Sequence, residues 1–178
     1  MTTSVDQKSQ ALQSAIANTM AQLGNVTTDT FAYTSIGKGV MVVKQKVGDF
    51  AVDYSRIHVH VDPDTTQTLV RPVNQLSQDE LAAIALPFTT IPAEQAQAIV
   101  LAEDATTINQ IAPHQASMPI VTTEVALKVI DGTGAYMMTS QTFPLAVISV
   151  RVQRSNGSVT YYLKPEDGSV IGWAIPTP

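Results

Sequence analysis

A chain of 178 residues, 44% of them hydrophobic, is long enough for one ordinary domain or two small packed halves with a proper core. Its formal charge of -5, with 10 Lys and Arg and no basic cluster, leaves no electrostatic footprint for a nucleic-acid backbone or an anionic membrane. The absence of cysteine removes disulfides, thiolate nucleophiles and cysteine-based zinc sites together. A charged fraction of only 14%, with much Thr, Gln, Ser and Val, is the composition of a β-rich surface kept soluble by neutral polar groups, which suits exported proteins or assembly subunits.

The polar start "MTTSVDQKSQ" has no basic region leading into an apolar core, and no apolar run approaches the roughly 18 residues of a membrane span. The expected location is therefore the cytoplasm, or an extracytoplasmic compartment if a leader has been removed. From residue 5 to 23, Leu12, Ala15, Ile16, Met20 and Leu23 recur at the spacing of one helical face. Ser4 is placed to cap that helix and Gly24 to end it. The face is modest, so the helix is expected to lie on a sheet.

Residues 30–73 favour strands: "TFAYTSI", "GVMVVKQKV", "QKVGDFAVDYSRIHVHVD" and "TLVRPV". Turn signals at Gly37-Lys38-Gly39, Gly48-Asp49 and Pro63-Asp64 separate them into an antiparallel meander. In the third stretch Phe50, Val52 and Tyr54 hold even positions and Ile57, Val59 and Val61 odd ones, so the apolar face switches between Tyr54 and Ile57. Either a bulge near Ser55 and Arg56 restores one apolar face, or the two parts pack against different layers. "SQDEL" then carries Ser77 and Glu80 at capping-box spacing and opens a short helix that Pro87 must end near Leu86.

A further helix starts at "IPAEQAQAIVLAED", with Pro92 in the first turn and Ala96, Ile99, Val100 and Glu103 marking successive turns. Residues 105–118 read as a polar linker or long loop, with room for a helical turn. Strands follow at "EVALKVI", "LAVISVRVQ" and "SVTYYLK"; the last two are joined through Ser155-Asn156-Gly157, whose Asn-Gly pair suits the positive φ angles of a tight hairpin. Asp167-Gly168 makes another turn, and "VIGWAI" adds a short final strand stopped by Pro176 and Pro178. A helix plus strands, twice, predicts an α+β fold of two halves, residues 1–86 and 87–178, each an antiparallel sheet with a packed helix.

The residue pattern offers little chemistry. His58 and His60 emerge on one strand face with Arg56 and Asp62, which is either part of a metal site or the wet side of a sheet. A closed site would need a further ligand such as His114 or a distant carboxylate. There is no His-Glu-x-x-His helix and no Gly-x-Ser-x-Gly elbow. Gly37, Gly39 and Gly48 are hairpin glycines and not a phosphate cradle, because they do not open a helix. Tyr161, Tyr162 and Trp173 read as core or edge packing before an aromatic surface, and Glu166 and Asp167 as turn acids before a calcium site. The expectation is no enzyme activity, no metal and no cofactor.

Residues 45–62 resemble the FTP motif of fungalysin and thermolysin propeptides, in which a strand Gln is followed by a Gly-containing turn and a strand ending apolar-His-apolar-Asp. Gln45, Gly48, Val52, Ser55, Ile57, Val59, His60, Val61 and Asp62 stand at those places. "YYLKPEDGSVIG" is similar to the closing hairpin of a PepSY domain through Tyr161, Leu163, Asp167, Gly168, Val170 and Ile171, and "IPAEQAQAIVLAEDA" resembles the helix that opens one. Asp49, Phe50 and Ala51 depart from the usual Gly-x-Pro-Val turn, and Lys164 replaces the acid that often precedes the PepSY turn.

The resemblance implies a cystatin-like or PepSY-like fold and a free-standing, propeptide-like, non-catalytic protein-binding module: an inhibitor or folding assistant of a metalloprotease. The rival expectation is a structural subunit of a filament, surface layer or other assembly, with copies of itself as partner. In both, Arg56, His58, His60, Trp173 and Ile175, the sheet edges and the tail 172–178 are the expected contacts.

Overall fold

The computed structural model describes residues 5–33 and 39–175. The fold is α+β, and the chain divides into two compact units, Met1–Val47 with Ala51–Ala82 and Gly48–Phe50 with Ala83–Pro178.

In the first unit, α1 spans Val5–Leu23, the bounds that the apolar spacing predicts. Gly24 ends it with φ 80°, its amide bonding the Met20 carbonyl at 3.2 Å. The expected Ser4 cap lies outside the described residues. Strands β1 (Val26–Tyr33) and β2 (Gly39–Val47) pair antiparallel; of the turn expected at Gly37-Lys38-Gly39, only Gly39 is described. After β3 (Phe50–Val52) come β4 (Arg56–Val61), β5 (Thr68–Asn74) and α2 (Gln78–Ala82). Strand β2 takes β1 on one side and β4 on the other, and β5 closes the outer edge against β4.

One sheet face is apolar because Met41, Val43, Ile57, Val59 and Val61 alternate onto it, and the α1 stripe of Leu12, Ile16, Met20 and Leu23 covers them. Ile57, Val59 and Val61 are essentially fully buried, each contributing roughly 1.5–3 kcal/mol of apolar transfer.

Of the two expectations for the face switch in residues 45–62, a bulge near Ser55 and Arg56 or two parts packed on different layers, the structure has a turn between two strands together with an irregularity at Arg56. The Ser55 amide bonds the Val52 carbonyl at 3.1 Å, closing a four-residue turn. A register shift does occur beside Arg56, but in the β4–β5 pairing, where Arg56 opposes Asn74 and Ile57 opposes Pro72.

In the second unit, α3 spans Ala93–Ile111 and a 3-10 turn follows at Pro113–Gln115. The linker expected at residues 105–118 is therefore largely helix. Ala96, Val100, Asp104 and Ile108 are its buried residues, so the inward stripe continues through a charged residue, Asp104, and not through Glu103. The Thr106 and Thr107 hydroxyls both return to the Glu103 carbonyl, so these two poor helix formers bond their polar groups within the helix.

Strand β6 (Ile120–Ile130) starts earlier than expected, and a two-residue strand, β7 (Tyr136–Met137), occupies the connection to β8 (Leu145–Arg154). With β9 (Gly157–Leu163) and β10 (Val170–Ala174) these strands take the order β6-β8-β9-β10-β7, antiparallel throughout. Helix α3 packs Ala96, Val100 and Ile108 onto Ile148, Val150, Val152, Val159, Tyr161 and Leu163.

The β8–β9 turn holds Ser155 and Asn156 between paired Arg154 and Gly157, and neither Asn156 nor Gly157 takes a positive φ. The glycine is needed for space: a Cβ on Gly157 would stand 2.6 Å from the Gln115 side-chain nitrogen. At the Asp167-Gly168 turn the expectation holds, with Gly168 at φ 74° and the Asp167 carboxylate accepting the Ser169 amide at 2.8 Å. Pro176 and Pro178 lie outside the described residues.

Candidate functional site

Gln45, Val52 and Ser55 meet around one junction beside the end of the β2–β4 ladder. In the β2–β4 ladder the last backbone rung pairs Val43 with Ile57. The next is made by a side chain: the Gln45 amide donates to the Ser55 hydroxyl at 2.7 Å, and that hydroxyl donates to the Val52 carbonyl at 3.1 Å. Ser55 is wholly buried. The Gln45 carboxamide acts as a substitute peptide group, giving its N–H to the Leu76 carbonyl at 2.9 Å and taking the Leu76 amide at 2.8 Å.

Asn74 reaches the Tyr54 carbonyl at 2.6 Å, and the capping box closes just beyond. There Glu80 accepts the Ser77 amide at 2.7 Å and the Ser77 hydroxyl at 2.9 Å. The Ser77 backbone bond first, then its hydroxyl, holds the Glu80 carboxyl below its ordinary range. Gln45 and Ser55 therefore tie the turn and the β5–α2 connection to the sheet, which leaves β4 and β5 firmly placed.

The opposite face of β4 carries Arg56, His58 and His60, as strand alternation predicts, with Arg56 exposed and both histidines half-buried. The two imidazoles stand edge to face at 6.4 Å between centroids. Register extends this face onto β5, where His58 opposes Arg71 and His60 opposes Leu69. Leu69 and Val73 are 52% and 62% exposed. Sequence reading missed Leu69, Arg71 and Val73; the signal was the alternation in "TLVRPV", in which Thr68 and Val70 turn to the α1 side.

Asp62 belongs to the hairpin beyond β4. Its carboxylate accepts the amides of Asp64 and Thr65 at 3.0 and 3.1 Å, an Asx turn that supports Thr66 at φ 58°. His114 lies in the 3-10 turn of the second unit, where its carbonyl accepts the Asn156 side chain at 2.8 Å. Among the described residues, no group of three or more His, Asp and Glu side chains is arranged to hold a metal ion.

Trp173 and Ile175 are half-buried on the core of the second unit. Trp173 stacks on Tyr136 at 4.7 Å, and Tyr136, 61% exposed, is the outward-facing member. Trp173 and Ile175 thus belong to the second unit, while Arg56, His58 and His60 belong to the first. The tail residues 176–178 are outside the described part.

The second unit also contains a buried charged set that sequence reading did not anticipate. The Arg154 guanidinium is paired with the Asp104 carboxylate, which accepts the Tyr161 hydroxyl at 2.7 Å. Both ionic side chains are under 5% exposed. Burial pushes the Tyr161 phenol well above the usual tyrosine range; the Thr107 contact pulls it down and Asp104 adds to the rise. An interior ion pair between helix and strand joins α3 to β8 but is enclosed, and so offers no reacting surface.

No helix among the described residues is long and apolar enough to cross a membrane. No protein-family model matches the chain, and no curated protein matches it either. Among solved structures it is similar to the Bacillus megaterium YpeB C-terminal domain, at 11% identity and a TM-score of 0.42, over 94% of this chain and 66% of that one.

Proposed function

We propose that this chain is a non-catalytic, propeptide-like protein-binding module that covers the cleft of a metalloprotease as inhibitor or folding assistant. The observation that carries the binding reading is the open face of β4 and β5, where Arg56, His58, His60 and Arg71 stand beside exposed Leu69 and Val73. Exposed apolar side chains within a polar rim are the composition of a partner surface. The propeptide reading is supported by the FTP-like residues Gln45 and Ser55, whose side chains hold the strands that present this face.

The test is pull-down and inhibition against a thermolysin-like protease from the same source. Saturable binding with loss of protease activity is expected, and absence of both sinks this reading. Self-assembly is the second reading, favoured by Tyr136 and Met138, exposed at the outer strand β7 of the second unit. Elution volume in size exclusion that falls as concentration rises would favour it.

A further inference from the structure

We infer that the partner segment recognised by the β4–β5 face is extended, acidic and partly apolar. This rests on the protein-binding reading above and adds the chemistry of what is bound. Among the charged and titratable side chains on β4 and β5, every one is basic: Arg56, His58, His60 and Arg71. In a chain of formal charge -5 that is a local reversal of sign. Of the carboxylates near it, Asp53 pairs with Lys44 at 2.5 Å and Asp62 accepts the amides of its own turn.

The basic groups are set in strand register. Across the ladder His58 lies opposite Arg71 and His60 opposite Leu69, and His58 lies opposite Val42 on the inner side. Basic side chains thus stand beside apolar ones on one face of the sheet. Next to it, His60, Asp62, Gln67, Leu69 and Arg71 help line an open groove of about 470 Å³, wide enough for side chains of a bound segment. A carboxylate seated between Arg71 and His60 accepts charge-assisted bonds while a neighbouring apolar residue covers Leu69.

The backbone also favours an extended partner. Pro72 has no N–H, so its rung with Ile57 is a non-bonded one, and the alternation turns the amides and carbonyls of Val70 and Thr68 away from β4. The bond from the Asp62 amide to the Gln67 carbonyl at 2.9 Å fits the same alternation. Strand β5 is the last strand on its side of the sheet among the described residues. A segment laid along β5 can pair with Thr68 and Val70 until Pro72 ends the ladder, which limits the edge to a short recognition stretch. Two arginines and two histidines beside exposed Leu69 and Val73 suit a protein segment better than a nucleic-acid strand, which needs a longer cationic track.

The test is fluorescence anisotropy on the whole chain with labelled short peptides alternating Glu and Val, Gln and Val, or Lys and Val, and with oligothymidylate. The Glu-Val peptide is expected to bind and to lose affinity as salt is raised. Arg71→Glu combined with Arg56→Glu, both exposed positions, is expected to weaken it by about tenfold or more, and Leu69→Asp to weaken it as well. Circular dichroism of each variant confirms that the fold is kept. Equal binding of the Gln-Val peptide overturns the acidic preference while leaving a protein-binding face in place. Unchanged affinity in the arginine variants, tighter binding of oligothymidylate, or no binding of the Glu-Val peptide each overturns the inference. The protease assay reports separately on the underlying reading.

Discussion

Both units place polar side chains at buried positions, but they bond them by different means. In the first, Gln45 and Ser55 are neutral and bond the main chain, replacing a ladder rung where the strand has turned away. In the second, Arg154 and Tyr161 both donate to Asp104 across the helix–sheet interface, while Arg154 Nε and Nη1 stay buried without a hydrogen bond among the described residues. The neutral arrangement repairs backbone bonding that the fold had interrupted. The charged one has no backbone deficit to repair; its members are tolerated inside only because all are present. Removing one part should therefore be much more damaging in the second unit than in the first.

The sharpest test is Asp104→Ala, which strands the Arg154 guanidinium in the α3 core; a loss of about 3–5 kcal/mol is expected, read from the denaturant midpoint. Asp104→Leu with Arg154→Met should return most of that loss, because two apolar side chains of similar volume need no partner. If the double variant is as unstable as Asp104→Ala, ion pairing is not what the site depends on. In the first unit, Ser55→Ala should cost only about 1–3 kcal/mol, with faster hydrogen exchange at the Gln45 amide that loses its acceptor.

The smallest effect concerns the exposed cap. Because the Glu80 carboxyl is held below its ordinary range, its contribution is complete above the ordinary glutamate value and disappears as pH falls through the lower folded value. The Ser77 amide resonance should report that titration, and Glu80→Gln should remove it.

Periodic segments were legible in proportion to how local their determinants are. The α1 bounds follow from apolar spacing and a terminal glycine, and the Ser77–Glu80 box from two residues three apart. The α3 C-terminal half was hidden because Thr106 and Thr107 look like loop residues, and the inward role of Asp104 appears only when Arg154 and Tyr161 arrive from distant strands. Gly157 was legible as a turn residue but for the wrong reason, since its lack of a side chain serves Gln115 and not backbone φ. On the candidate face, Arg56, His58 and His60 could be placed from alternation, whereas Arg71, Leu69 and Val73 joined them only through the β4–β5 register.

The sequence by itself determined the α+β class, the first helix, most strands and the basic side of β4, because three-to-four-residue and two-residue periodicities are properties of neighbours along the chain. Tertiary structure alone decided that residues 50–61 are two strands joined by a buried serine turn, that an aspartate belongs in the core, and that β5 completes the open face. Each of those depends on groups beyond the reach of a local period, as Gln45 is ten residues from Ser55 and Asp104 fifty from Arg154. Only folding brings such groups together and removes the water that would otherwise satisfy them.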